Sequence, residues 1–294
     1  MRRLIARGGT GDTYAPEQTL YLVWAARLPA DAPSPTQLAW AGQGLTPTAY
    51  HRSGWQPDAT WIAIKGGTPR ANHGHMDVGA FTLDALGVRW ADDLGMQSYH
   101  SLEKAGIKLW EMGETSQRWR VFRIGASSHN ILTVDGQDQR LSGSAPIVRH
   151  FDTRTIIDTS SAYAGQLASA RRGVVLLPDR SVLIQDEITC ASTPTATVRW
   201  AMLTHATVAP EGSTALLTRE GRTLALRVLE PAGVTVETWS AEPPNDYDSP
   251  NPGASFVGFH IPVTAGQSRT LRVALVPAAR PTTSDLPPAR LSDW

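Results

Sequence analysis

The chain has 294 residues, 41% hydrophobic and 18% charged, with 27 Lys plus Arg balancing 27 Asp plus Glu for a formal net charge of zero. That composition suits a globular protein with a sizeable core, as one large β domain or two smaller ones, and excludes a disordered chain. With no net charge there is no basic field to gather nucleic acid or a polyanion over long range, so an acidic ligand has to be held by a local constellation. The single cysteine, Cys190, excludes an internal disulfide framework and a multi-thiolate zinc site, leaving imidazole and carboxylate as metal ligands. The opening residues Met1-Arg2-Arg3-Leu4-Ile5 are basic but run into no apolar stretch of signal-peptide length. No run approaches the roughly 20 apolar residues of a membrane span. The sequence alone therefore predicts a soluble chain without a signal peptide, either cytoplasmic or lacking an N-terminal part.

In chain order, Tyr21–Leu28 within the lead-in has helix-compatible spacing, with Pro16 upstream and Pro29, Pro33 and Pro35 closing it. Residues 33–54 read as a linker or irregular lead-in. From about Thr60 the pattern changes. Trp61–Lys65 is a short apolar run closed by Gly66-Gly67, which predicts a buried strand, while residues 80–86 fit strand or helix equally. Strands are then predicted at 131–134, 154–159, 173–177, 181–185, 214–218, 223–228, 234–239, 256–261 and 270–276. Pro178-Asp179-Arg180 and Arg219-Glu220-Gly221-Arg222 are placed to turn two hairpins. Many short strands with Gly and Pro punctuation predict an all-β fold, a large antiparallel β-sandwich of two sheets behind a short, partly helical lead-in. The boundaries expected are 1–55 for the lead-in, 56–280 for the sandwich and 281–294 for an extended tail.

The densest chemistry lies in Ala71-Asn72-His73-Gly74-His75-Met76-Asp77-Val78-Gly79-Ala80-Phe81. In an extended segment His73, His75 and Asp77 share a face, with Gly74 allowing close backbone approach or an unusual turn. Two further pieces follow: Asp92-Asp93-Leu94-Gly95, and His129-Asn130 leading to Asp135-Gly136. Zinc takes imidazole and carboxylate in roughly tetrahedral geometry, and water can fill the fourth position. Spacing alone leaves the plainer alternatives open: hydrogen-bonded histidines in a polar corner, and Asp92 as a turn residue or strand cap.

Taken together, the three pieces resemble the C-terminal region of the heparinase II/III-like polysaccharide lyases. That pattern runs His-x-His-x-Asp-x-Gly-x-Phe, then Asp-Leu-Gly, then His-Asn before a strand ending in Asp-Gly, and here it covers about residues 61–140. The resemblance implies one structural zinc ion per chain, held by His75, Asp92 and His129, with Asp92 preferred over Asp93 for its place directly after Trp90-Ala91. It implies that His73 points to the substrate cleft and assists catalysis, while Asp77 supports the loop or a ligand. The activity implied is β-elimination on a uronic-acid-containing polysaccharide, heparan sulfate-like or alginate-like, in a bacterial protein at a periplasmic or extracellular location. The tyrosine and asparagine groups of that reaction come in this family from an N-terminal α/α toroid, for which 294 residues leave no room. The chain is therefore expected to be one wall of an active site, truncated or split, needing a toroid partner.

Tyr99 is a second catalytic candidate, with a structural tyrosine as its alternative. Trp90, Trp110 and Trp119 are candidates for stacking on sugar rings, with burial in the core as theirs. Arg89, Arg120 and Arg123 are candidates for pairing with uronate carboxylates, set against solvated strand-face arginines. Two other functional classes compete with the lyase component: a non-catalytic, zinc-stabilised carbohydrate-binding or structural sandwich, and a stand-alone metal hydrolase, which lacks an evident general base beyond Asp77.

Overall fold

The computed structural model describes Val23, Ala26, Arg27 and residues 35–191, 195–278 and 286–294. Met1–Thr36 forms one compact unit and Gln37–Trp294 another. Of the lead-in helix expected at Tyr21–Leu28, Val23, Ala26 and Arg27 are described, all helical and exposed; its other residues lie outside the described set.

The second unit is all-β and antiparallel, as its short alternating segments predict, but it is built from three sheets. A five-stranded meander takes β1 (Ala39–Gly42), β2 (Thr48–Arg52), β3 (Trp61–Lys65), β4 (Phe81–Ala85) and β5 (Val88–Ala91) in sequence order. A four-stranded sheet is made of β15 (Glu237–Ser240), β16 (Ser255–Thr264), β11 (Thr195–Thr204) and β6 (Leu132–Val134), in that spatial order. The largest sheet has eight strands. They run β12 (Thr207–Glu211), β13 (Thr214–Arg219), β14 (Arg222–Glu230), β17 (Ser268–Pro277), β10 (Val182–Cys190), β9 (Leu167–Leu176), β8 (Arg154–Asp158) and β7 (Ile147–His150). Both expected hairpins form, β9–β10 and β13–β14, the first turning on Arg180 and the second on Glu220, each at positive φ.

Alternation along these strands builds one core shared by all three sheets. Ile62, Ile64 and Leu83 from the meander meet Val174, Ile184, Leu226 and Val273 from the large sheet and Val198, Trp200 and Phe259 from the small one. Trp200 stacks on Phe259 at 5.9 Å between centroids, nearly coplanar at 8°. The alternate residues of the large sheet face the other way, where Leu183, Val175 and Val276 form a second apolar layer.

That second layer also seats the C-terminal residues. Residues 286–294, expected as an extended tail, form a strap across the large sheet, with Leu291 and Trp294 buried. Gly173 makes room for it, since a Cβ there would lie 2.4 Å from Leu291 and 2.7 Å from Trp294. Gln185 and Arg272 donate to the carbonyls of Ala289 and Pro287, and Glu187 accepts from the Leu291 N–H. At the other end β1 and β2, within residues expected as a linker or irregular lead-in, pair with each other, and β2 pairs with β3. β1 is half-exposed along its length and lies among Pro and Gly punctuation, so neither apolar periodicity nor burial marks it in the sequence.

One polar cluster seals the join between the meander and the large sheet. Buried His51 stacks on His150 with centroids 5.2 Å apart. Its Nδ1 lies 3.1 Å from the Asp152 carbonyl, so that nitrogen carries the proton, and Nε2 accepts from Thr155 Oγ1 at 2.8 Å. Burial pushes the pKa of His51 down to about 4, and the charge of His150 adds to this against the Asp152 carbonyl. Because the unfolded chain takes up this proton near 6.5 and the folded chain only near 4, stability is full above about pH 6.5 and falls as pH drops toward 4. The loss attributable to His51 is about 3 kcal/mol. Urea unfolding at pH 7 and pH 4.5 should show His51→Gln with a flatter pH dependence than the wild type by that order; equal slopes would remove His51 as the cause.

Candidate metal centre and active-site wall

The histidines and aspartates singled out in the sequence lie in the irregular segments between β3 and β6, which carry a small apolar core of their own. Met76, Leu102, Leu109, Trp119, Ile124 and Ile131 pack together there. A short helix, α1 (Tyr99–Lys104), is capped by the Ser98 side chain accepting from the Ser101 N–H.

The loop from Pro69 to Ala80 is irregular, and the extended face expected for His73, His75 and Asp77 does not form. His73 sits at φ 60, a left-handed conformation that a non-glycine residue adopts only when its surroundings impose it. Gly74 follows because a Cβ there would meet the Pro69 carbonyl oxygen at 2.4 Å and that of Ala71 at 2.7 Å. This turn sends the two histidines to different places. His73 is exposed and stacks on Tyr99 at 5.6 Å, whereas His75 turns inward to lie 5.5 Å from the His129 ring.

Side chains from distant segments fix the loop backbone. Arg118, itself buried, donates to the Gly74 carbonyl at 2.8 Å, the Leu109 carbonyl at 3.2 Å and the Tyr99 hydroxyl at 3.2 Å. Gln139 Oε1 accepts from the Val78 N–H, and its Nε2 donates to the Val78 carbonyl. Arg172 donates to the carbonyls of Gly79 and Asn130 while its other edge meets Asp186 at 2.7 and 3.0 Å. Asn130 donates to the carbonyls of Phe81 and Asp92 and accepts from the Leu203 N–H.

Within this frame one nitrogen from each of His75 and His129 and one carboxylate oxygen of Asp77 all lie within 4.8 Å of one another. His129 is fully buried, and its Nδ1 is 2.8 Å from Asp93 Oδ2. Its Nε2 is buried without a hydrogen-bond partner. Burial works against a charged His129, but the charge and hydrogen bond of Asp93 outweigh it and raise the pKa above the ordinary value. Asp93 is opposed by its own burial yet held well below the usual carboxylate range by His129, the Gly95 N–H and His75. Burial, then the neighbouring His129, pushes His75 down to about 4, so that ring is neutral and free to donate a lone pair at neutral pH. Two converging imidazoles, a depressed carboxylate and an orphaned buried ring nitrogen are a donor set that suits a divalent metal of zinc's preferences.

Of the neighbouring carboxylates Asp92 and Asp93, it is Asp93 that meets His129, whereas the sequence reading preferred Asp92. β5 ends at Ala91, so strand alternation no longer applies two residues on. Asp92 is drawn instead to Arg89 at 3.3 Å and His205 at 3.4 Å. Asp93 closes a turn by accepting from the Gly95 N–H at 2.8 Å through Oδ1, which leaves Oδ2 for His129. Asp77 has both oxygens 2.5–2.6 Å from Lys65 Nζ.

Of the other candidates, Trp90 and Trp119 are buried, whereas Trp110 is exposed beside His73 and Tyr99. Arg89 is paired with Asp84 and Asp92. Arg123 donates to Asn251 and to the carbonyls of Leu94, Met96 and Pro250, which makes it a clamp on the loops. Sequence reading missed Arg118 and Arg172, because an arginine that serves backbone carbonyls leaves no local pattern.

The family model for the C-terminal region of heparinase II/III-like proteins matches residues 43–278. No curated protein matches the chain. Among solved structures, a heparan sulfate lyase from Pedobacter heparinus superposes with a TM-score of 0.67 at 15% identity, covering 89% of this chain and 41% of that one. A heparinase III gives 0.67 at 17% identity, covering 89% and 41%, and another heparinase III gives 0.60 at 15%, covering 79% and 35%. The likeness is one of fold, and this chain spans about two fifths of the length of these structures. With a match that takes in every strand but β1 and every segment of the site, the chain belongs to the heparinase II/III-like C-terminal family.

Proposed function

We propose that this chain forms one wall of a polysaccharide lyase active site, in which His73 faces a uronic-acid-containing polymer and a zinc ion bound behind it holds the wall in shape. The observation that carries this is the turn at His73-Gly74, which divides adjacent histidines between an exposed aromatic corner and a buried cluster. His75, His129 and Asp77, whose donor atoms lie within 4.8 Å of one another, are ligands proposed together with Asp93, which contacts His129. Zinc there supplies structural cross-linking, with His129 fully buried and His75 and Asp93 half-buried, whereas His73 is exposed.

β-Elimination needs the uronate carboxylate neutralised, the C5 proton removed and the departing O4 protonated. His73 is the exposed imidazole suited to hydrogen-bond the carboxylate or pass a proton, and Tyr99, its hydroxyl held by Arg118, is the second group at that corner. Similarity to structures described as heparan sulfate lyases and heparinases supports a heparan sulfate-like polymer. The remaining groups of the reaction are proposed to come from a helical toroid.

In a preparation that joins this chain to a toroid half, heparan sulfate should yield the ultraviolet absorbance of unsaturated uronate. His73→Ala should lower kcat by about 10²–10⁴-fold with zinc content unchanged. Undiminished turnover without His73, or loss of zinc in that variant, would overturn the assignment. Equal turnover by the chain alone would remove the toroid from the proposal.

A further inference from the structure

Trp110 is the large aromatic of this region left open to solvent: it is 58% exposed, against 0% for Trp90 and 4% for Trp119. It is nonetheless fixed in place. Its Nε1 donates to Glu103 on α1 at 2.8 Å, so the polar edge of the indole is tied down. Its ring meets His73 at 5.5 Å and 83°, and Tyr99 at 5.6 Å and 78°, while those two stack on each other. The result is a corner of two nearly perpendicular aromatic planes, with an imidazole and a phenol along one wall. Arg118 sets the corner from beneath, holding Tyr99, the Gly74 carbonyl after His73 and the Leu109 carbonyl before Trp110.

A pyranose ring has the complementary chemistry. One face carries C–H bonds that suit the electron-rich face of an indole, and its rim carries hydroxyl and carboxylate groups that suit hydrogen-bond donors. A tryptophan held in one orientation loses little side-chain freedom when a ligand stacks on it, which favours binding. The geometry points to Trp110 as a sugar-stacking subsite that seats the saccharide unit next to the one facing His73 in a uronic-acid-containing oligosaccharide. This rests on the reading of His73 as a cleft residue and adds a binding residue to it.

The test uses the full chain and a heparan sulfate hexasaccharide, followed by tryptophan emission and by the ring resonances of His73. Wild type should bind with a change in both signals. Trp110→Ala should weaken binding about tenfold or more, and Trp110→Tyr should stay within about threefold of wild type. Because Trp110 is exposed, both variants should keep the wild-type melting temperature. If Trp110→Ala binds as wild type does while His73→Ala does not, the subsite is wrong and the cleft wall stands. If wild type does not bind at millimolar hexasaccharide, both fall. Tyrosine failing to restore what alanine loses would overturn the stacking role.

Discussion

His129→Ala is expected to lose metal and to lower the free energy of unfolding by about 3–5 kcal/mol. Two costs combine. The substitution removes a fully buried imidazole, leaving a cavity, and it strips the partner from Asp93, whose charge the histidine stabilises. Metal linkage adds to this, because a ligand set that exists only in the folded chain contributes its binding energy to folding. Elemental analysis should find about one zinc per wild-type chain and none in the variant. A chelator should lower the melting temperature of wild type and leave the variant where it was. Asp93→Asn should follow His129→Ala in losing zinc, and Asp92→Asn should not; the reverse outcome would return the ligand to Asp92 despite its ties to Arg89 and His205.

Arg172→Met should be nearly as costly, at about 3–5 kcal/mol, although it lies outside the ligand set. Arg172 and Asp186 are each 2% exposed at the side chain, and the substitution leaves a carboxylate buried without its counter-charge. It also strands the carbonyls of Gly79 and Asn130, and these belong to the two segments that carry Asp77 and His129. Zinc affinity should therefore fall by about 10- to 100-fold along with stability. Replacing Asp186 with leucine in the same chain should recover part of the stability but not the affinity, since the two carbonyls stay unserved. Recovery of both in the double variant would show that the ion pair, not the carbonyl contacts, positions the site. Competition with a zinc-sensitive dye and urea unfolding separate the two readings.

The strands that sequence reading finds are those whose short apolar runs are bounded by clear turn chemistry. Trp61–Lys65 is one, and the hairpins around Asp179 and Gly221 are others, whose turns the structure keeps. β11 is missed although it is ten residues long and central to the small sheet, because its buried half from Trp200 to Thr204 is continuous and resembles a buried helix as much as a strand. Residues 80–86, which fit strand or helix equally in the sequence, contain the strand β4. At the site, residue types and order are legible through the family pattern, while directions are not. His73 and His75 part company through a single left-handed residue, and Asp93 rather than Asp92 meets His129 where a strand stops at Ala91. Both outcomes depend on backbone angles imposed by distant carbonyls and side chains, which no local pattern encodes.

The strap also bears on how the molecule assembles. Its bonds close very long loops: Gln185 reaches Ala289 across 104 residues, and Arg149 reaches Trp294 across 145. The hairpin β9–β10 that it covers needs only a short turn and can form early. Loop-closure entropy therefore orders the events, with the hairpin first and the strap among the last contacts made. In the interval Val175, Leu183, Ala274 and Val276 stand bare on the outer face of the large sheet. The risk of aggregation in this fold is thus concentrated in a late kinetic phase, and the notch at Gly173 is the seat on which that phase ends.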